Sequence, residues 1–259
     1  MNITIAILKN TCYQLTFTVG LIAVFGLIVG LTNRAFYKLV GYKFGRIACM
    51  ATGFIGVPVH EIGHALFCII FRHKIVEIKL YQPNSADGTL GYVRHLYNRR
   101  SIYHQIGNFF IGFGPILFGS TVLLLLMFWL LPNFFEAFKN SADFSQILLT
   151  FYSFSELSNW RWWAFMVPAC SIALHMSLSV ADIKSSWVGF GFIVLTLLIT
   201  NAILYFVKND AMLLLTNYCF TASAFILNFL TISVVFSLII LLLGVLVKFS
   251  FYAVRLWSN

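Results

Sequence analysis

Charge is what this chain has least of. Only 10% of its 259 residues are Asp, Glu, Lys or Arg, where a soluble globular domain carries about 25%. Acidic side chains are the scarcest, with eight Asp and Glu against 17 Lys and Arg. Apolar residues make up 60% of the chain and mean hydropathy is +0.90. That balance excludes an ordinary soluble domain and indicates an integral membrane protein. The net charge of +9 does not point to nucleic acid. The Lys and Arg cluster between apolar runs, as charges facing lipid headgroups do. Cysteine patterning is missing too. Cys12, Cys49, Cys68, Cys170 and Cys219 contain no C-x-x-C pair, and their odd number gives no disulfide framework. They read as small buried apolar residues. There is no internal repeat, no low-complexity tract and no polar stretch long enough for an appended soluble domain. The first apolar run lacks a basic start, so it reads as an uncleaved span.

Long apolar runs are what the chain has instead. Six are long enough for a hydrocarbon core that takes about 20 helical residues: 13–32, 47–71, 107–131, 162–182, 187–207 and 220–247. The expected fold is an all-α polytopic membrane protein, one domain over 1–259, with about six transmembrane helices. Residues 72–106 break the pattern. "KIVEIKLY" alternates polar and apolar residues, "QPNSADGT" carries turn chemistry, and "LGYVRHLY" resumes an extended pattern. This predicts a small membrane-associated β-hairpin over about 74–97. Residues 132–161 form a second polar connection of little pattern, ending in "NWRWWAF", which reads as an interfacial aromatic anchor. With six spans, ten of the 17 basic residues fall on the side of the termini and the hairpin. That bias places both termini in the cytosol, and the expected location is the cell membrane of a bacterium.

The second run contains "VPVHEIGHALF", Val57 to Phe67. "HEIGH" is an H-E-x-x-H motif. On a helix, His60 and His64 lie on one face a turn apart and can hold one zinc ion between them. Glu61, beside the first ligand, can take a proton from a metal-activated water and pass it to a leaving amine. That is the metalloprotease reading of the motif. Ionisable residues in mid-span cost about 2.5–3.5 kcal/mol each on insertion scales and are functional by default. Three in five residues are therefore poorly explained as packing.

A protease site needs a third protein ligand. Glu77 reads as a solvated strand residue, and Asp87 sits where turns favour Asp. "ALHMSLSVADIKSSW" is the better source. His175, Ser179 and Asp182 are spaced to share one helical face. Both His175 and Asp182 are candidates. The centre of "HEIGH" lies about ten residues before Arg72, or roughly 15 Å, and His175 matches that depth better, whereas Asp182 stands two residues before Lys184. If it is not a ligand, His175 supports the ligands or contacts substrate. Asn108 is placed to bind a substrate backbone or to cap a helix. His73, His95 and His104 read as interfacial residues. Asn201, Asn217 and Asn228 suit hydrogen bonds between helices.

At "HEIGHALF" the sequence resembles the site-2 protease family of intramembrane zinc metalloproteases. In that family the motif lies inside a transmembrane helix, with Gly at the position of Gly63 and a small residue at Ala65. A β-like segment follows, then a helix with a Gly-Pro pair, matched by Gly114 and Pro115 in "GNFFIGFGPILFGS". The resemblance covers about 47–190. It implies an enzyme that hydrolyses peptide bonds in or beside the membrane, with one zinc ion and membrane-protein or peptide substrates. It also implies a third ligand that is an Asp from a later helix, which points to Asp182. The family's Leu-Asp-Gly and its preceding proline run are absent, since Ala181 and Ile183 flank Asp182. The alternatives are a non-catalytic zinc-binding scaffold and a metal transporter. Transport predicts further acidic or His residues along several helices. The intact Glu61 argues against a scaffold, because a structural zinc site does not need that carboxylate.

Overall fold

The computed structural model describes residues 3–85, 88–140, 158–207 and 209–257, so Asp87 and most of the 132–161 connection lie outside the described residues. In chain order the elements are α1 (Ile3–Leu15), a π-helical turn (Thr16–Gly20), α2 (Leu21–Val40), α3 (Tyr42–Ile70), β1 (Lys74–Lys79), β2 (Tyr92–Leu96), α4 (Ile102–Leu130), α5 (Pro132–Asn140), α6 (Trp160–His175), α7 (Val180–Val207) and α8 (Asn209–Trp257). Among the described residues, four helical stretches are long and apolar enough to cross a membrane: Ile3–Phe36, Gly45–Ile70, Ile102–Leu130 and Val180–Val207.

The second and third expected spans are thus α3 and α4, and the first is the middle of a longer helical stretch. The fourth, 162–182, is not one helix. Its chain stops at His175 after 16 residues and restarts at Val180. The polar stripe of His175, Ser179 and Asp182 on one helix face therefore does not exist. The sixth run lies within α8. The start of the 132–161 connection is helical, as α5.

The expected hairpin is present. β1 and β2 pair antiparallel from Lys74↔Leu96 to Lys79↔Tyr92, with a bulge between Ile75 and Glu77. Beyond the ladder, the Gln82 N–H donates to the Leu90 carbonyl at 2.7 Å. On the hairpin, Glu77 accepts from the Tyr92 hydroxyl at 2.7 Å and pairs with Arg94 at 3.5 Å. The Tyr81 hydroxyl donates to the Met50 carbonyl at 2.6 Å, which ties the hairpin to α3.

Helices pack through small residues. α3 and α4 touch backbone to backbone: a Cβ on Gly63 would stand 2.8 Å from the Gly114 carbonyl oxygen, and a Cβ on Gly114 would stand 2.6 Å from that of Gly63. Small residues permit such crossings inside membranes. Gly112 does the same for α4 and α7, since its absent Cβ leaves room for the Ser186 hydroxyl. Ile116 and Leu123 of α4, Ala169 and Ile172 of α6, and Leu230 of α8 fill one apolar core. Away from it, Asn201 of α7 donates to Thr11 and to Gln14, each at 2.8 Å, and Gln14 donates to Thr216 of α8 at 3.0 Å. This buried network joins α1, α7 and α8, as expected for Asn201.

The three connection histidines meet at the base of the hairpin. His73 Nε2–H donates to the His104 carbonyl at 3.1 Å. Its Nδ1 is then the acceptor for His95 Nδ1–H at 3.0 Å. Burial, with the neighbouring His95 second, lowers the His73 pKa to about 4, so the folded chain holds this ring neutral.

Gly114→Ala is expected to cost about 1–3 kcal/mol by overpacking, read as a lower thermal midpoint in detergent. Because His73 is neutral when docked, the undocked chain takes up the proton first. The hairpin's attachment is expected to be full above about pH 6.5 and to weaken as pH falls from there toward 4. Hydrogen exchange across β1 and β2 measures this, and the trend should shrink in His73→Phe, leaving the part that comes from His95, whose pKa burial also lowers.

Candidate metal centre

His60, Glu61 and His64 project from the C-terminal half of α3, and Asp182 from the first turn of α7. One ligand atom from each of His60, His64 and Asp182 lies within 4.8 Å of the others. His60 Nε2 and His64 Nε2 are 3.1 Å apart. His64 Nε2 and Asp182 Oδ1 are 3.6 Å apart. Among the described residues this is the one group of three or more His, Cys, Asp or Glu placed to hold a metal.

Two backbone carbonyls orient the imidazoles. His64 Nδ1–H donates to the Ile111 carbonyl at 2.7 Å, and His60 Nδ1–H donates to the His175 carbonyl at 2.5 Å. A carbonyl only accepts, so each Nδ1 carries the proton and each Nε2 presents a lone pair. Such acceptors are scarce inside helices, where the N–H of residue i+4 normally occupies the carbonyl of residue i. Both carbonyls here have lost that partner. Residue i+4 from Ile111 is Pro115, which has no N–H. Residue i+4 from His175 is Ser179, whose N–H turns instead to Asp182 Oδ2 at 2.9 Å.

That last bond is half of a capping box. The Asp182 N–H donates back to the Ser179 hydroxyl at 3.1 Å, and the Ser179 carbonyl accepts the first helical bond from Ile183 at 3.2 Å. Ser179 is therefore the N-cap of α7. The box does three things at once: it ends the fourth apolar run early, releases the His175 carbonyl, and holds Asp182 by one oxygen so that the other faces His64. The N-terminal end of the helix also favours a carboxylate there.

The arrangement fits a metal ion. Two neutral imidazoles with lone pairs 3.1 Å apart repel unless a cation is shared between them. Two nitrogens bound tetrahedrally to one zinc stand roughly 3.4 Å apart. Two His and one carboxylate are a familiar catalytic zinc set that leaves a fourth position open. Glu61 is buried and near enough to Asp182 for their charges to repel. The hairpin covers it: a Cβ on Gly91, just before β2, would lie 2.9 Å from the Glu61 side chain. A cavity of about 370 Å³ opens beside His60, with Val57, Leu90, His175 and Ser179 in its wall.

The His175 ring is turned away from this cluster. Its Nδ1–H donates to the Ser171 carbonyl at 2.9 Å, and its Nε2 faces Cys49. Its backbone carbonyl, not its side chain, supports the site. Glu77 is held on the hairpin. Asn108 is buried, and its side-chain amide has no hydrogen-bond partner among the described residues. The roles of Pro115 and Ser179 as supporting residues were missed in the sequence, though each leaves a signal there. A proline four residues after Ile111 frees that carbonyl, and "SVAD" is a capping-box sequence. Neither signal, however, says which side chain will use what it releases.

Pro115→Ala restores a competing N–H to the Ile111 carbonyl. It is expected to weaken metal affinity about 10–100-fold, as loss of a ligand's orienting partner does, while the helix itself becomes no less stable. Asp182→Ala is expected to weaken it further. Competition with a metal-chelating dye measures both. Comparison of the chain with protein-family models, with curated proteins and with solved structures finds no match.

Proposed function

We propose that this chain is an intramembrane zinc metalloprotease of the site-2 type, hydrolysing peptide bonds of membrane-embedded or membrane-adjacent proteins and peptides. The observation that carries the reading is the convergence of His60 Nε2, His64 Nε2 and an Asp182 oxygen beside Glu61, inside apolar helices. His60, His64 and Asp182 hold one zinc ion. Zinc in such a site polarises the scissile carbonyl and makes water acidic enough to attack at neutral pH. Glu61 accepts the proton of the attacking water and later delivers it to the leaving amine. The carbonyls of Ile111 and His175 keep both imidazoles in the Nδ1–H tautomer throughout. The hairpin over Glu61 limits water access, and the cavity beside His60 receives the substrate chain. The chain is a multi-pass protein of the cell membrane.

A scaffold that used zinc structurally would have no need of Glu61, which lies buried where a hydrated surface position would be cheaper. A transporter would need a file of polar sites through the helices. The buried polar cluster around Gln14 and Asn201 is neutral and already hydrogen-bonded to itself, and the His73, His95 and His104 cluster lies at the base of the hairpin.

The test is Glu61→Gln in purified, reconstituted protein against a substrate with a single apolar helix. Cleavage is expected to fall about 10²–10⁴-fold, the usual worth of a general base, with bound zinc unchanged. Equal cleavage by wild type and variant would sink the proposed chemistry.

A further inference from the structure

The wall of the cavity beside His60 holds another pair of metal-ligating side chains. Cys49 of α3 and His175 of α6 both line it, and Cys49 Sγ stands 3.8 Å from His175 Nε2. Cys49 is half-buried and forms no disulfide. The His175 ring is set like those of His60 and His64. Its Nδ1–H donates to a backbone carbonyl, that of Ser171, at 2.9 Å, so its Nε2 lone pair points at the sulfur. A sulfur at about 2.3 Å and a nitrogen at about 2.0–2.1 Å from one tetrahedral zinc stand roughly 3.6 Å apart. The observed spacing is near that value. Cys49 also lines a second cavity of about 470 Å³ between α2, α3 and α6. The sulfur is thus reachable by small solutes from two sides.

We infer that Cys49 and His175 form a second site for a thiophilic divalent metal ion, separate from the His60, His64 and Asp182 centre. The Cys49 thiol gives up its proton to solvent in the cavity as the metal–sulfur bond forms. His175 Nε2 supplies the second bond, and water fills the remaining positions. Thiolate ligation selects zinc, cadmium or cobalt over magnesium or calcium. Two protein ligands against three make this the weaker of the two sites. Arg34 lines the same cavity, so the surroundings add no net attraction for a cation and affinity rests on the thiolate. The site communicates with the first through a single residue, because the backbone carbonyl of His175 orients His60.

Cobalt titration of the full-length protein in detergent tests this without reference to proteolysis. A cobalt–thiolate bond gives a near-ultraviolet charge-transfer band that imidazole and carboxylate ligands do not. Wild type is expected to bind two equivalents, with the band rising during the second. Cys49→Ser and His175→Gln are each expected to lose the band and the weaker equivalent while keeping the tighter one, which also reports that they are folded. A His60→Ala/His64→Ala double variant should lose the tighter equivalent and retain the band. The proposal is overturned if wild type saturates without the band, if the band survives Cys49→Ser, or if the double variant abolishes it.

Discussion

The candidate centre depends on two backbone carbonyls that the helices do not use themselves. In an unbroken α-helix every interior carbonyl is occupied, and a neighbouring imidazole has nothing to lean on. Here Pro115 removes the N–H that would claim Ile111, and the end of α6 releases His175. Each freed carbonyl takes one Nδ1–H and thereby decides which nitrogen of each ring is the ligand. An unsatisfied carbonyl in an apolar interior is costly, so each pairing removes a penalty as well as orienting a ring. The same hydrogen bonds hold the helices in register around the site.

Packing is set at the same places. Gly63 lies inside the motif itself, between Ile62 and His64, and its lack of a side chain lets α3 reach Gly114 of α4. That contact is next to Pro115, so helix crossing and ligand orientation are parts of one construction. Gly112 brings the first turn of α7 against α4, where the Ser186 hydroxyl accompanies the Asp182 carbonyl at 2.6 Å. At the far side, Gln14 and Asn201 fix α7 to α1 through neutral amides, which suit a low-dielectric interior better than charges do.

Much of this was readable in the chain. The H-E-x-x-H spacing put His60 and His64 on one helical face, the alternation in "KIVEIKLY" marked β1, and the apolar runs marked α3 and α4. The fourth run was misjudged. Its composition is apolar on both sides of "MSLS", so hydropathy passes smoothly over a break that a capping box makes. Composition averages over about 20 residues, whereas a helix end is decided by two or three hydrogen bonds. The depth comparison that favoured His175 assumed one continuous helix, and it lost its basis when α6 ended there.

What the sequence by itself determined is local: helix periodicity, the i, i+4 pair of histidines, the strand alternation, and an acid at Glu61 that packing alone does not explain. Those follow from geometry within a few turns of chain. Only the tertiary structure decided that Asp182 faces His64, that His175 contributes its carbonyl while its ring turns to Cys49, and that Gly91 covers Glu61. Each of those contacts joins residues 30 or more positions apart, and their separation in space is set by how closely helices can approach. No local pattern records that distance.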